Sequence, residues 1–257
     1  KTLKVIGRAG IGVDNIDIPA ATARGIVVMN TPFGNSITTA EHAIALLFAA
    51  ARQIGAADAS TQAGKWEKNR FMGRELYAKT LGLIGCGNAG GIVADRALGL
   101  KMKVVAFDPF LTPERAIEMG VEKADLDTLL AKADFITLHT PLTPETRQMM
   151  GRNEFARMKK SAILINCSRG PVVDEPALVA ALKSGTILAA GLDVFANEPN
   201  VPDELKAMQN VVLLPHIGSA SVVTRNAMDQ LVVDNLKNWF AGKAPLTPVP
   251  ETPVRGR

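Results

Sequence analysis

Three side chains could carry acid–base chemistry if the fold brings them together: Arg169, Glu198 and His216. Each follows an apolar run, namely AILINCS, GLDVFAN and VVLLP. A histidine can exchange a proton near neutral pH, a neighbouring carboxylate stabilises its protonated form, and a guanidinium grips a carboxylate with two hydrogen bonds. These residue types suit hydride transfer between a nicotinamide and a small 2-hydroxy acid, because that reaction needs a proton carrier and a cation.

A glycine-rich turn lies upstream of these residues, in the run TLGLIGCGNAG. Gly85, Gly87 and Gly90 fit the dinucleotide-binding pattern, in which glycines allow a tight turn, a close pyrophosphate and close helix packing. Asp108 ends the next apolar run, VVAFD. A carboxylate there can accept both ribose hydroxyls and repels a 2′-phosphate, so the pattern favours NAD over NADP. The alternative is a simple glycine turn followed by a surface aspartate.

The other histidines and the cysteines have simpler interpretations. His42 lies inside an apolar helical run and is interpreted as a packed or capped side chain, and His139 ends a strand, where it could satisfy backbone groups beside the cofactor. The two cysteines, Cys86 and Cys167, indicate no disulfide framework, so we expect a reducing compartment, the cytoplasm. No Cys/His cluster has metal-ligand spacing, so we expect no metal.

Composition narrows the class of protein. The chain has 257 residues, 47% of them hydrophobic, and a net charge of +4. This length allows one large or two small domains. The longest strongly apolar stretch, 43–51, is too short for a bilayer span, so we expect no membrane partner. No Lys/Arg run interleaves with aromatics, so we expect no nucleic-acid partner. The charge indicates either a solvated surface or weak steering of acidic ligands.

Strands and helices are predicted to alternate from residue 80 onward. Short apolar runs rich in Val, Ile and Leu alternate with helix-like segments, which predicts an α/β doubly wound parallel sheet. The predicted strands are Leu81–Ile84, Val104–Phe107, Phe135–Leu138, Ile163–Ile165, Ile187–Val194 and Val211–Leu214. The predicted helices are Gly90–Leu98, Pro113–Met119, Leu126–Ala131 and Glu175–Lys183.

The two ends of the chain have a different pattern. Strands are predicted at Lys4–Ile6 and Ile26–Met29, followed by a helix through residues 40–53 that a capping box of Thr38 and Glu41 would open. An amphipathic helix is predicted over residues 221–240, and the tail TPVPETP is predicted to be extended or disordered. The first residues resemble no signal peptide and lack a starting Met, which favours a fragment or a trimmed chain.

Six motifs in order give the chain a resemblance to the D-isomer-specific 2-hydroxyacid dehydrogenase family. They are GRAGIGVDN, TLGLIGCGNAG, HTPL, INCSRG, GLDVFANEP and PHIGS. The resemblance implies a Rossmann NAD-binding domain inserted into a smaller, N-terminally incomplete flavodoxin-like substrate domain. It implies a partial substrate domain over 1–78, the NAD-binding domain over 79–220, and a return to the substrate domain over 221–257. It also implies a homodimer built through the NAD-binding domain.

The resemblance also assigns site residues. The family's catalytic arginine, glutamate and histidine fall on Arg169, Glu198 and His216. The implied cofactor contacts are Gly85, Gly87, Asn88, Ala89, Gly90, Asp108, Thr140, Cys167, Ser168, Asp193 and Gly218, with Asp193 facing the nicotinamide amide. The implied substrate contacts are Arg8, near a substrate phosphate, and the backbone of Gly10 and Ile11.

Three departures from the family pattern bear on function. Asn88 stands where many relatives have Arg, which weakens the expected pyrophosphate grip, and Ile11 stands where some have Thr. Family members also have a sizeable segment before the position of Lys1, so the substrate domain is expected to be incomplete and turnover could be impaired.

The two parts of the chain resemble different branches of the family. Up to about residue 160 the chain is similar to the branch that oxidises 3-phosphoglycerate to 3-phosphohydroxypyruvate in serine biosynthesis. From about residue 161 it is similar to hydroxypyruvate, glyoxylate or gluconate reductases. Asp108 favours the first, NAD-using branch. The open alternatives are a hydroxypyruvate or glyoxylate reductase, an NAD-binding corepressor-like protein, and an inactive fragment that keeps only NAD binding.

Overall fold

The computed structural model describes residues 2–32 and 34–252. In chain order its elements are β1 (Val5–Gly7), α1 (Ile18–Ala23), β2 (Val27–Met29), α2 (Ser36–Arg52), α3 (Ile54–Gln62), β3 (Thr80–Ile84), α4 (Asn88–Gly99), β4 (Lys103–Phe107), α5 (Pro113–Met119), β5 (Glu122–Lys123), α6 (Leu126–Lys132), β6 (Phe135–Leu138), α7 (Arg152–Arg157), β7 (Ile163–Asn166), α8 (Glu175–Lys183), β8 (Ala189–Leu192), α9 (Asp203–Lys206), β9 (Val211–Leu213) and α10 (Val222–Phe240).

Two compact units make up the chain. The smaller unit combines residues 1–38 with residues 219–257, and the larger unit is the continuous stretch 39–218. The larger unit therefore interrupts the smaller one in sequence, as an inserted domain does. The larger unit begins at Thr39, so residues 39–78 belong to the same compact unit as the sheet. The boundaries 1–78, 79–220 and 221–257 stay a prediction.

The smaller unit is built around the parallel pair of strands β1 and β2, which α1 connects. Asp17 begins α1, its carboxylate accepting the N–H of Ala20 at 2.9 Å. Helix α10 packs on β1, where a Cβ on Gly7 would come within 2.9 Å of Val232 Cγ1. Residues 247–249 run beside β2, because the N–H of Val249 donates to the carbonyl of Val28 at 2.8 Å.

The larger unit contains a seven-stranded, all-parallel sheet in the order β5-β4-β3-β6-β7-β8-β9. From β3 the chain first adds β4 and β5 on one side and then crosses to add β6 on the other. Ligands of open α/β sheets bind at such a reversal, outside the carboxyl ends of the strands. The fold therefore predicts a ligand crevice at the carboxyl ends of β3 and β6.

Both faces of the sheet are covered, which explains the continuous apolar strands. In β7, Ile163 and Ile165 belong to the core on one face, and Leu164 belongs to the core on the other. Helix α2 lies against the first face through Leu46, and a Cβ on Gly191 of β8 would approach Leu46 Cγ to 2.8 Å. A side chain at position 191 would therefore push α2 off the sheet.

Most predicted elements of the α/β alternation are confirmed. Helices α5 and α8 have the predicted bounds, and α4 begins at Asn88, two residues before the predicted Gly90. Strand β8 is shorter than predicted, because only Ala189–Leu192 of the run Ile187–Val194 pairs with neighbouring strands. The prediction missed α1, α3, α7, α9 and β5, all short elements whose sequences show little periodicity.

The predicted capping box at Thr38 and Glu41 is wrong. Helix α2 already begins at Ser36, so Thr38 lies inside its first turn. The Thr38 hydroxyl instead contacts the hydroxyls of Thr224 and Ser221. Helix α2 ends at Arg52, and Gln53 has a left-handed backbone, with φ of 54°.

The predicted extended or disordered tail is described up to residue 252. It is extended next to β2, where Met29 forms an antiparallel bridge with Pro248. Its last residue, position 253, lies outside the described residues. In the part of the chain that the structure describes, every helix is too short or too polar to cross a membrane.

Candidate active site

The glycine-rich turn connects β3 to α4 at the predicted crevice. Gly85 has φ of 95°, and a Cβ there would lie 2.8 Å from the backbone of His139. A Cβ on Gly90 would lie 2.0 Å from the Gly85 carbonyl oxygen. A Cβ on Gly87 would meet nothing within 4 Å. Gly85 and Gly90 therefore permit the local fold, whereas Gly87 leaves open space next to the first turn of α4.

This open space fits a pyrophosphate. Helix α4 begins at Asn88 and Ala89, so its first N–H groups have no intrahelical acceptor and carry the positive end of the helix dipole. Thr140 follows β6 on the neighbouring strand, and its buried hydroxyl has no hydrogen-bond partner among the described residues. A dinucleotide would supply an acceptor to both groups.

Asp108 is anchored beside the turn, directly after β4. Its carboxylate accepts the N–H of Cys86 at 2.7 Å and the N–H of Phe110 at 2.8 Å. Two carboxylate oxygens provide about four acceptor positions, so two positions remain for ribose hydroxyls. Burial, and secondly the Asp108 charge, raise the pKa of the Cys86 thiol to about 12. The thiol is therefore protonated and unreactive at neutral pH.

The segment after β7 positions Arg169 through its backbone. The Asn166 side chain accepts from the Ser168 N–H at 3.0 Å and donates to the Arg169 carbonyl at 3.0 Å. Gly170 packs so closely that a Cβ there would lie 1.9 Å from the Phe195 backbone. Cys167 is buried, and burial followed by the Asp193 charge raises the pKa of its thiol. Arg169 therefore leaves the carboxyl end of β7 on a fixed turn.

Glu198 and His216 lie in direct contact. His216 Nδ1 is 2.7 Å from Glu198 Oε2, and Glu198 Oε1 accepts the N–H of Phe195 at 3.1 Å. Glu198 follows β8 and His216 follows β9, so adjacent strands deliver the pair to one edge of the sheet. Because Nδ1 faces the carboxylate, Nε2 is the ring nitrogen left for a reactant. The side chains are 44% and 36% exposed, which keeps the pair accessible.

Asp193, directly after β8, is fully buried. Its two carboxylate oxygens accept the N–H groups of Ile217 at 2.8 Å and Gly218 at 2.7 Å. The sequence prediction gave Asp193 and Gly218 only cofactor contacts and missed this mutual bond, since residues 193 and 218 are distant along the chain. No local sequence signal marks such a pair.

The substrate residues predicted from the resemblance form the loop after β1 in the smaller unit. The Arg8 N–H donates to the Met29 carbonyl at 2.8 Å, and the Gly10 carbonyl accepts from the Thr31 N–H at 3.0 Å. The Ile11 carbonyl accepts from the Asn30 side chain at 2.8 Å. A Cβ on Gly10 would overlap the Arg8 guanidinium. A side chain at position 10 would therefore displace the Arg8 guanidinium, and the substrate role of the loop stays a prediction.

Comparison with known proteins identifies related sequences. Residues 44–218 match the family described as D-isomer specific 2-hydroxyacid dehydrogenase, NAD binding domain. D-3-phosphoglycerate dehydrogenase of Archaeoglobus fulgidus is 51% identical over 243 residues, which cover 94% of this chain and 46% of that protein. Glyoxylate reductase of Thermococcus litoralis is 48% identical over 250 residues, which cover 95% of this chain and 76% of that protein. The chain spans about half the length of the phosphoglycerate dehydrogenases that it matches.

Solved structures show the same fold. NADPH-dependent glyoxylate/hydroxypyruvate reductase of Sinorhizobium meliloti, in complex with NADP and malonate, superposes with a TM-score of 0.90 at 39% identity, covering 100% of this chain and 80% of that one. D-lactate dehydrogenase of Escherichia coli gives 0.88 at 32% identity, covering 96% and 78%. The predicted Rossmann-like α/β class is thereby confirmed.

Proposed function

Because the chain belongs to the D-isomer-specific 2-hydroxyacid dehydrogenase family and carries its NAD-binding domain, we propose that it is an NAD-dependent oxidoreductase acting on a small D-2-hydroxy acid. The observation that carries this proposal is the 2.7 Å contact between Glu198 and His216. An imidazole backed by a carboxylate is a proton carrier. It stands at the same strand edge as a turn that fits a dinucleotide.

Each of the three predicted catalytic residues has a defined task in this proposal. Bound NAD supplies the hydride acceptor, or as NADH the hydride donor. His216 Nε2 takes the hydroxyl proton when the alcohol is oxidised and returns a proton to the carbonyl oxygen on reduction. Glu198 stabilises the imidazolium that forms. Arg169 binds the substrate carboxylate and polarises the adjacent carbonyl.

We favour 3-phosphoglycerate, oxidised to 3-phosphohydroxypyruvate as in serine biosynthesis, as the substrate. The 51% identical relative named D-3-phosphoglycerate dehydrogenase and the cationic loop at Arg8 support this choice. The second candidate is hydroxypyruvate or glyoxylate, since the relative named glyoxylate reductase is 48% identical and the one named glyoxylate/hydroxypyruvate reductase is 39% identical. A reducing, cytoplasmic location suits a chain whose two cysteines are unpaired.

A panel of 2-keto acids separates these candidates. Phosphohydroxypyruvate, hydroxypyruvate and glyoxylate are assayed with NADH and with NADPH, and kcat/KM is compared. We expect phosphohydroxypyruvate with NADH to give the highest value. A higher value for the unphosphorylated acids would move the assignment to the reductases. NADH binding without turnover of any acid would support an inactive fragment or a corepressor-like protein.

The same assay tests the proton carrier. His216→Ala removes the imidazole, so kcat should fall about 10²–10⁴-fold, the usual contribution of a positioned acid or base. NADH affinity, measured by fluorescence titration, should stay within about twofold, since one exposed side chain is lost. An equal loss of turnover and of cofactor affinity would contradict the role assigned to His216.

We further propose that two copies associate through the larger unit. Its segment between α3 and β3 exposes large apolar side chains, with Trp66 at 84%, Met72 at 77% and Tyr77 at 70%. A cavity of about 760 Å³ lies nearby, between α3 and the starts of β8 and β9. Exposed aromatics next to an unfilled groove are typical of a surface that a partner covers, and a second copy is the occupant that the family resemblance implies.

Light scattering after size-exclusion chromatography tests the dimer. Trp66→Glu combined with Tyr77→Glu should convert a dimer into a monomer, since charges are costly in an apolar interface. The matched control is Ile117→Glu, an equally exposed apolar residue on α5, at 79%, which should leave the dimer intact. A monomeric unmodified chain, or a dimer that survives the double substitution, would overturn this interface.

A further inference from the structure

The backbone of His216 is held in an uncommon conformation. Its φ is 55°, in the left-handed region that non-glycine residues adopt rarely and at an energetic cost. Such a conformation persists only where the surroundings impose it. The two N–H groups that follow, on Ile217 and Gly218, both donate to the buried Asp193 carboxylate. Asp193 therefore holds the chain directly after His216 in a clamp, formed by its carboxylate and the N–H groups of Ile217 and Gly218.

A second imidazole faces this clamp from helix α2. His42 Nε2 lies 3.4 Å from Asp193 Oδ1, and the His42 side chain is 15% exposed. Its Nε2 is buried and has no hydrogen-bond partner among the described residues. A Cβ on Gly218 would lie 3.7 Å from His42 Cδ2 and 3.1 Å from Asp193 Oδ2. His42, Asp193 and Gly218 therefore form one tightly packed cluster.

We propose that His42 is a positioning residue for His216, acting through the Asp193 carboxylate. The contact chain runs from His42 Nε2 to Asp193 and from Asp193 to the N–H groups of Ile217 and Gly218. The contact of 3.4 Å does not have hydrogen-bond geometry, so the imidazole acts on the carboxylate as a neighbouring polar ring. This inference rests on the proposed function only for its effect on turnover, because the clamp itself is a feature of the fold.

Electrostatics gives the reason for this arrangement. A buried carboxylate loses its hydration and needs donors in compensation. The two backbone N–H groups replace part of the lost hydration of the Asp193 carboxylate. The dipole or charge of the His42 imidazole replaces the remainder. Without His42 the carboxylate would gain by turning toward water, and the two N–H groups would lose their acceptor. The turn at His216 would then leave the left-handed conformation that presents its ring to Glu198.

Amide hydrogen exchange tests the clamp without any need for turnover. In His42→Leu the amides of Ile217 and Gly218 should exchange about tenfold faster, because their hydrogen bonds to the Asp193 carboxylate are expected to open more often. His42→Gln, which keeps an N–H donor at the same reach, should stay within about threefold of the unmodified protein. Glu41→Gln, at the exposed neighbouring position on α2, should change nothing.

Two further measurements separate positioning from general stability. Amides in β6 and β7 report opening of the whole sheet, and their exchange should not change in His42→Leu. Asp193→Asn serves as the reference that loosens the clamp directly. If Asp193→Asn accelerates exchange at positions 217 and 218 but His42→Leu does not, the proposal is overturned. It is overturned equally if His42→Leu accelerates all amides in proportion.

The effect of His42 on function is tested by measuring turnover. In His42→Leu kcat for the preferred 2-keto acid should fall about tenfold, with a smaller change in KM, and His42→Gln should recover most of it. Equal kcat in all three proteins would refute a positioning role. If the unmodified chain turns over no 2-keto acid, the proposed function fails, and the exchange experiment still decides whether His42 holds the clamp.

Discussion

At the scale of single residues, Asp108 shows how one carboxylate can fix a loop and select a cofactor. It accepts two backbone N–H groups, from Cys86 and Phe110, and so holds the glycine turn against the end of β4. Its negative charge stays where an adenosine ribose would lie in a dinucleotide fold. A 2′-phosphate there would meet like charge, so we expect the residue to favour NAD.

Removal of this charge should relax the cofactor preference. Asp108→Asn keeps one of the two acceptor oxygens that hold the loop and removes the negative charge. The loss of one loop bond should weaken both cofactors, whereas the loss of repulsion should favour NADPH alone, so the ratio of NADPH to NADH affinity should rise about tenfold or more. Fluorescence titration with both cofactors measures the ratio. Glu118→Gln, an exposed carboxylate on α5, is the control and should leave it unchanged. An unaltered ratio in Asp108→Asn would remove the electrostatic basis for NAD selectivity.

The sequence predicted the tight turn at the glycines, which is a local motif, and the pairing of Glu198 with His216. It missed the contacts of Asp193 with Gly218 and with His42. The spacing of Gly85, Gly87 and Gly90 is a complete local signal, and the structure gives each glycine a separate geometric reason. The bond between Asp193 and Gly218 joins segments that only the pairing of β8 with β9 brings together. The contact of His42 with Asp193 depends further on how α2 crosses the sheet.

At the scale of elements, the connection from β3 to α4 contains one glycine needed for folding and another expected to serve binding. Gly90 lies against the Gly85 carbonyl, so its lack of a side chain serves helix–strand packing. Gly87 faces open space at the start of α4, so we expect its lack of a side chain to admit a ligand. The two positions therefore predict opposite consequences for the same substitution.

Alanine at each glycine should reveal this difference. Gly90→Ala should lower the free energy of unfolding by about 1–3 kcal/mol through overpacking and abolish NAD binding. Gly87→Ala should fold normally but weaken NAD binding about tenfold or more, because its methyl group occupies the pyrophosphate approach. Thermal melts and titrations measure both.

Gly99→Ala serves as the control in the same helix. A Cβ at position 99 meets nothing within 4 Å, so the substitution should be neutral or stabilise the helix by up to about 1 kcal/mol. Normal NAD affinity in Gly87→Ala would place the pyrophosphate elsewhere.

Element prediction was limited by tertiary interactions. The long strands of the sheet are predictable because burial on both faces requires continuous apolar runs. The start of α2 could not be predicted from local sequence. The Thr38 hydroxyl, which could cap a helix, contacts Thr224 and Ser221 instead. Strand β5 has only two residues, both exposed, and pairing with β4 alone defines it.

At the scale of the whole molecule, the order of elements along the chain determines where the candidate site forms. The alternation of strands and helices over 80–214 predicted the parallel sheet, and the sheet order places the glycine turn, Asp108 and Thr140 at the reversal between β3 and β6. The sequence alone could not give this order, because strand neighbours depend on which crossover the chain takes. The resemblance, rather than the periodicity, supplied the inserted arrangement of the two units.

Stability of the larger unit should depend on pH through His139. Burial lowers the pKa of its imidazole from 6.5 to about 4, and its Nε2 contacts the Thr137 hydroxyl at 2.9 Å. The unfolded chain therefore binds a proton at His139 below pH 6.5, whereas the folded chain does so only near pH 4. Stability from the neutral ring is present above pH 6.5 and is lost as the pH falls toward 4, by about 2 kcal/mol at pH 5.

Hydrogen exchange of the β3 and β6 amides at pH 7 and pH 5, corrected for intrinsic rates, measures this loss in the larger unit itself. His139→Gln keeps a polar side chain that does not titrate, so its unfolding free energy should fall by about 2 kcal/mol less than that of the unmodified protein between these pH values. All other titrating groups are present in both proteins, so their contributions cancel in this difference. An equal fall in both proteins would assign the acid sensitivity to other groups and leave His139 with a packing role alone.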